Sequence, residues 1–294
     1  MSDDTQTLDR TILYALTVHL HLSPRMIFAL VAEHGSTQDV WDAEFDDVAA
    51  ALGLEEDARE RWALAHNSLD LIAEEFDHIT SDSVSALVIG DTAYPRRLER
   101  LGDPPPLLYV HGESPDGETP CVGVVGTHEA DAEGIADAVA WGRGLAERGV
   151  TVISGLARGI DGGAHTGALA GSGKTVAVLG SGFANIYPPE HRGLAEQITT
   201  QGALVSEYPP NASITKARLI RRNRLIAALS DALVVVRIHE GTRGTMEAID
   251  RAGDVATPVF IVASDTSEAA QRAIVSGAIP LGRIPDFNLV LGSF

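Results

Sequence analysis

Residues 121–180 read CVGVVGTHEADAEGIADAVAWGRGLAERGVTVISGLARGIDGGAHTGALAGSGKTVAVLG. Three short runs rich in β-branched and other apolar residues, at 121–126, 150–153 and 175–180, are separated by segments long enough for a helix. None of the runs alternates apolar with polar residues, so both faces of each strand must be covered. Uniformly apolar strands alternating with helices predict a parallel sheet between helical layers. The same rhythm continues through 203–206, 232–236 and 258–262. The expectation for 121–294 is an α/β, Rossmann-like parallel sheet with helices on both faces.

Upstream the pattern changes. In residues 1–80, apolar positions such as Ile12, Leu13, Leu16 and Leu20 recur at three- and four-residue spacing, and Ser23-Pro24 suits a helix start, which predicts a small helical domain. Residues 81–120 hold an apolar run at 84–89, the prolines 104–106 and a second run at 107–110. They read as an extended linker that adds an edge to something. The Pro-, Gly- and acid-rich ESPDGETP at 113–120 marks the boundary.

The 294 residues carry 41 Asp+Glu against 22 Lys+Arg, a net charge of -19. Residues 1–120 hold 24 acids and 7 bases, residues 121–294 hold 17 and 15, so the acid sits in front. Against this background Lys216, Arg218, Arg221, Arg222 and Arg224 fall within nine residues containing no carboxylate. A local cationic site is expected on an acidic protein, and the alternative for such a cluster is a solvated helix face. If 216–230 is one helix, Arg218, Arg221 and Arg222 share a face near its positive end, where an anion must offset them: the acids of the N-terminal part, or a nucleic-acid backbone. One cysteine, Cys121, allows no internal disulfide and reads as a core residue. No apolar run reaches the ~18 residues of a membrane span, and MSDDTQTLDR is acidic where a signal peptide is basic, so a cytoplasmic protein is expected.

In an open α/β sheet the ligand lies beyond the carboxyl ends of the strands. The residues there are glycine-rich: Gly126 after the first run, Ser154, Gly155 and Gly159 after the second. Glycines close to a helix start let backbone N–H groups approach an anion, so phosphate is the expected guest. Two familiar nucleotide motifs are absent. Gly123 and Gly126 do not have the G-x-G-x-x-G spacing, and Gly173-Lys174-Thr175 has Ala168 where a P-loop needs glycine and enters a strand. Neither NAD nor any other cofactor is expected. Asp161 and His165 stand four apart and could pair as acid and base on a helix; the simpler reading has Asp161 capping the helix and His165 orienting a loop. No metal cluster and no nucleophile elbow is seen.

The run SGLARGIDGGAHTGALAGSGKTVAVLGSGFANIYPPEHRGL, with LVSEYPP, RRNRLIAALSDALVVV and the upstream DTAYPRRLERLGDPPPLLYVHGE, closely resembles the DNA-processing family DprA, also called Smf, over roughly residues 8 to 285. The resemblance implies a non-enzymatic protein that binds single-stranded DNA as a homodimer and helps load RecA recombinase, chiefly in natural transformation. It assigns the DNA-contacting pocket to Ser154, Gly155, Arg158, Lys174, Arg222, Asn223 and Arg224. The loop and cluster reading adds Gly126, Gly159, Arg218 and Arg221. With aromatics at 5% of the chain, binding dominated by the backbone is expected.

Several positions depart from that family's pattern. His128 stands where an arginine is expected, Arg237 where glutamate is usual, Leu219-Ile220 in place of Phe-Pro, Arg243-Gly244-Thr245 for Ser-Gly-Ser/Thr, and Ala263-Ser264 for Pro-Gly. Nothing matching the family's C-terminal winged-helix module follows before Phe294. GTRGTMEA at 241–248 is similar to a motif of LOG-type nucleotide phosphoribohydrolases, although Thr242 replaces a glycine. In that alternative Arg243 or Arg158 holds phosphate, Gly244 and Thr245 belong to the same site, and Glu247 stabilises charge on the ribose. A module that senses a free nucleotide in the same pocket is the third reading. Whether Glu247 points into the pocket beside Ser154 and Gly244 discriminates the enzyme from the binding protein.

Overall fold

The computed structural model describes residues 3–80, 83–114, 117–239, 243–262, 265, 267–282 and 285–294. Pro115 and Asp116, Gly241 and Thr242, and Ala263 and Ser264, all singled out above, lie outside the described residues. The chain divides into two compact units, Met1–Thr92 with Asp103–Leu108, and Ala93–Gly102 with Tyr109–Phe294.

Among its described residues the first unit holds six α-helices, α1 (Asp3–Tyr14), α2 (Pro24–His34), α3 (Thr37–Asp42), α4 (Phe45–Leu52), α5 (Glu56–Asn67) and α6 (Leu69–Ile79), with a π-helical turn at Ala15–His19, followed by β1 (Val84–Val88). Ser23 caps α2 by accepting the Met26 N–H, with Pro24 in the first turn, where its missing N–H costs nothing. Ile12, Leu16, Ile27, Leu30 and Val48 are fully buried, and the Trp41 and His66 rings stack at 3.9 Å.

The second unit is the expected sheet. After β2 (Leu107–Gly112), whose first two residues belong to the first unit, come β3 (Cys121–Gly126), α7 (Ala132–Ala146), β4 (Thr151–Ser154), α8 (Ile160–Ala170), β5 (Thr175–Leu179), α9 (Arg192–Gln201) and β6 (Ala203–Ser206). Then follow α10 (Lys216–Arg221), α11 (Asn223–Leu229), β7 (Ala232–Arg237), α12 (Arg243–Asp254), β8 (Val259–Val262), α13 (Glu268–Val275), β9 (Ile279–Leu281) and α14 (Phe287–Leu291). The strand order is β1-β2-β6-β5-β4-β3-β7-β8-β9. From β6 to β9 the pairs are parallel, whereas β2 lies antiparallel on β6, with Tyr109 facing Ser206. The apolar run at 107–110 falls within β2, which lies between β1 and β6. β9, carrying a proline and too short for periodicity to reveal, extends the far flank.

Valines and alanines of β3, β4 and β7 pack against Ala138, Trp141 and Leu145 of α7 and Ile160, Ala164 and Ala168 of α8. A second cluster joins Leu156, Ala177, Leu179, Ile198 and Leu204. Helices α7 and α8 approach closely because a Cβ at Gly142 would overlap the Ala164 carbonyl, and one at Gly167 the Val139 carbonyl. Among the described residues no helix is long and apolar enough to cross a membrane.

Candidate nucleic-acid interface

The chain leaves β3 toward β4, β5 and β6 on one side, then returns to place β7 on the other. The strand order therefore reverses at β3, and the loops after β3, β4 and β7 diverge there, which is where a crevice forms in such sheets. A cavity of about 490 Å³ occupies it. Gly126 and His128 line it from the loop after β3, Gly155, Arg158 and Asp161 from the loop after β4 and the start of α8, Lys216 from α10. Arg222, Asn223, Arg243, Gly244, Thr245 and Tyr187 complete the polar and aromatic part of its wall.

The loop after β4 does not hold its amides open. Gly155 N–H and Ala157 N–H donate to Asp161 Oδ2 at 3.1 and 3.4 Å, and the Ser154 hydroxyl donates to Val124 O. The anion these glycine-loop amides hold is the protein's own carboxylate. Gly155 lacks a Cβ for a different partner than phosphate: a Cβ there would overlap the Arg222 guanidinium. Gly159, at φ +68°, is the cap residue before α8, and a Cβ there would overlap the Thr127 carbonyl, so conformation and space both exclude a side chain.

Arg222 is the buried centre of this arrangement, 5% exposed. Its Nη1 donates to Val178 O at 2.6 Å, its Nε to Leu219 O at 3.3 Å, and Nη2 lies 3.8 Å from Asp161 Oδ2. Burial pushes the Asp161 carboxyl up and the Arg222 guanidinium down, and each opposes the other's shift. The helix expected over 216–230 breaks at Arg222 into α10 and α11, and its arginines do not share one face. Arg222 turns inward. Arg218 donates to Ser213 O and lies over the Tyr208 ring at 4.5 Å. Arg224 pairs with the buried Glu207 carboxylate, which also lies 3.5 Å from Arg221 Nε. The offsetting acids are Glu207 and Asp161, from within this unit.

Of the positions assigned from sequence, Gly126, Gly155, Arg158, Arg222 and Asn223 come together on the cavity, as do Arg243, Gly244 and Thr245. Ser154, Gly159, Arg218, Arg221 and Arg224 do not line it. Lys174 precedes β5, at the amino ends of the strands and so across the sheet from the cavity, and its Nζ donates to Glu113 at 2.6 Å. Glu247 does not line the cavity; it receives two hydrogen bonds from Arg251, at 2.6 and 2.8 Å. Lys216 and Tyr187 line the cavity although the loop reading did not place them there. The signal for Lys216 was its membership of the basic cluster; Tyr187 had none beyond its place after the third run.

Asp161 and His165 bond different partners. The Thr175 hydroxyl donates to Val152 O, so it accepts from His165 Nδ1–H at 2.7 Å, which leaves Nε2 buried and without a partner among the described residues. Burial, with Arg222 and His191 nearby, pushes the His165 pKa down to about 3. The imidazole is neutral at neutral pH and anchors α8 to β5. Its folded pKa lies below the unfolded value of 6.5, so its stabilisation is full above that value and is lost as pH falls toward 3. Urea unfolding at pH 7 and pH 5 should show about 2 kcal/mol of this loss. In His165→Asn the pH dependence should shrink by that amount, and an unchanged dependence would refute the assignment.

A sequence profile of the family described as DNA recombination-mediator protein A matches residues 85–288. The Smf protein of Synechocystis sp. is 42% identical over 151 residues, which cover 50% of this chain and 38% of that protein's length. The X-ray structure of DNA processing protein A from Streptococcus pneumoniae superposes with a TM-score of 0.80 at 27% identity, covering 92% of this chain and 94% of that one. A DNA processing protein A from Helicobacter pylori, whose structure addresses its single-stranded DNA binding mode, gives a TM-score of 0.62 at 25% identity, covering 71% and 94%. With the family profile matching residues 85–288, more than half of its length, the chain belongs to the DNA recombination-mediator protein A family, also called DprA or Smf.

Proposed function

We propose that this chain binds single-stranded DNA by running its phosphate backbone across the cavity mouth, without catalysing a reaction on it. One observation carries the reading: on a protein of net charge -19, the cavity wall gathers Arg158, Lys216, Arg222 and Arg243, with Asp161 as its one carboxylate among the described residues. Asp161 is already matched by Arg222, so Lys216 and Arg243 are the cations left to meet a phosphate, joined by Arg158 when it exchanges its exposed contact with Glu190. Phosphate neutralisation by such side chains drives sequence-independent binding. Tyr187, 43% exposed on the cavity wall with Arg158 over its ring at 5.7 Å, offers one base a stacking face. The Helicobacter pylori relative, with its single-stranded DNA binding mode, supports the same ligand.

On the family resemblance, the bound strand is passed to a RecA recombinase by a homodimer in the cytoplasm. The acidic N-terminal part repels nucleic acid and faces protein partners instead. The phosphoribohydrolase alternative has lost its required group at the cavity, because Glu247 is engaged with Arg251. Fluorescence anisotropy of labelled oligo-dT across a salt series tests the reading. The expected result is log K falling linearly with log salt, with a slope of about -2 to -3 for the three or four cations. Absence of binding at low salt would overturn it.

A further inference from the structure

Beside the fixed cations, the cavity edge carries a group of side chains whose charge is not fixed. His128 lines the cavity, and its Nε2 lies 3.6 Å from Glu129 Oε1. His239, two residues past β7, places its Nε2 3.8 Å from Glu129 Oε2. Two imidazoles on different loops therefore bracket one carboxylate, and all three side chains are more than half exposed.

The surrounding charges come from every neighbouring element. Asp131 lies on the same loop; Glu133 and Asp137 of α7 and Arg237 at the end of β7 form one acidic cluster around that arginine. Arg158 and Asp161 face the cavity from the loop after β4 and α8, Lys216 and Arg222 from α10 and its end, Arg243 from α12. Guanidinium, ammonium and carboxylate groups ordinarily keep their charge between pH 6 and 8, whereas an imidazole, with an ordinary pKa of about 6.5, does not.

We propose that His128 and His239, with Glu129 between them, make phosphate binding at this cavity proton-dependent. This rests on the nucleic-acid reading above. With both imidazoles neutral, the trio presents the bare carboxylate of Glu129 and repels a phosphate arriving at the cavity edge. With both protonated, it presents a net single positive charge, and His128 adds a charge-assisted contact to the row formed by Arg158, Lys216 and Arg243. Binding a phosphate in turn favours the protonated imidazoles, so affinity and proton uptake are linked.

The test is oligo-dT anisotropy at pH 6.0 and pH 8.0 at constant ionic strength, with urea midpoints taken at both values to establish that each variant is folded. The protein should bind about sixfold tighter at pH 6.0 than at pH 8.0, because a bound phosphate favours the protonated imidazoles. His128→Gln/His239→Gln should bind equally at the two pH values, at the weaker level. His128→Arg should bind tightly at both, and Glu129→Gln should gain affinity chiefly at pH 8.0. Wild-type affinities within twofold of one another, or a double glutamine variant that keeps the wild-type pH dependence, would overturn the inference while leaving the nucleic-acid reading intact. Absence of binding at every pH would overturn both.

Discussion

Replacing Arg222 by alanine should lower the unfolding free energy by about 3–5 kcal/mol, the cost of stripping one partner from a buried ion pair. The side chain is 5% exposed, ties the Val178 and Leu219 carbonyls together, and approaches Asp161, which is equally buried. Alanine leaves that carboxylate with two backbone amides and no opposing charge, and leaves the space above Gly155 empty, because glycine supplies no Cβ to fill it. Arg222→Ala/Asp161→Asn should recover part of the loss, since the uncompensated charge goes with the acid. Arg222→Lys should recover little, because an ammonium cannot span a carbonyl and a carboxylate as the planar fork does. Urea denaturation checks all three, and a loss under about 1 kcal/mol for the alanine variant would show that the pair is dispensable. A consequence follows for binding studies. Weak DNA binding by an Arg222 variant would report a damaged scaffold rather than a lost phosphate contact.

The inward turn of Arg222 shows what the sequence made legible and what it hid. Strand positions were readable because β3, β4, β5, β6, β7 and β8 are buried on both faces and so are continuously apolar, a pattern that survives without knowledge of their partners. Their carboxyl ends then located the crevice. Side-chain direction was not readable from charge, since an arginine in a basic run looks solvated. The missing signal was the break itself: α10 ends at Arg221 and α11 begins at Asn223, so the arginine between them leaves the face that a continuous helix would give it. Similarly, glycines after a strand were read as making room for an anion, and room is what Gly155 makes. That the occupant is the Arg222 guanidinium and the anion is Asp161 depends on a meeting of residues more than sixty positions apart, which no local pattern encodes. The antiparallel register of β2 on β6 was hidden for the same reason.

If phosphate binding belongs to the cavity's exposed cations, Arg158→Ala/Lys216→Ala/Arg243→Ala should bind oligo-dT about a hundredfold more weakly at 0.1 M salt. Each neutralised phosphate on a single strand contributes about 0.7 to the salt slope, which is about fivefold in affinity at that concentration, so three removals multiply to that figure and flatten the slope by about 2. Fold stability should hardly move. Lys216 and Arg243 are exposed, and Arg158, half exposed, bonds Glu190 at the surface, where such pairs contribute little. Lys174→Ala supplies the contrast, because it removes the same charge from a lysine paired with Glu113 at the amino end of β5. Salt slope and affinity should be unchanged in that variant. A Lys174→Ala loss as large as that of the triple variant would move the DNA track to the opposite end of the sheet, whereas a loss confined to the triple variant ties binding to the point where the strand order reverses.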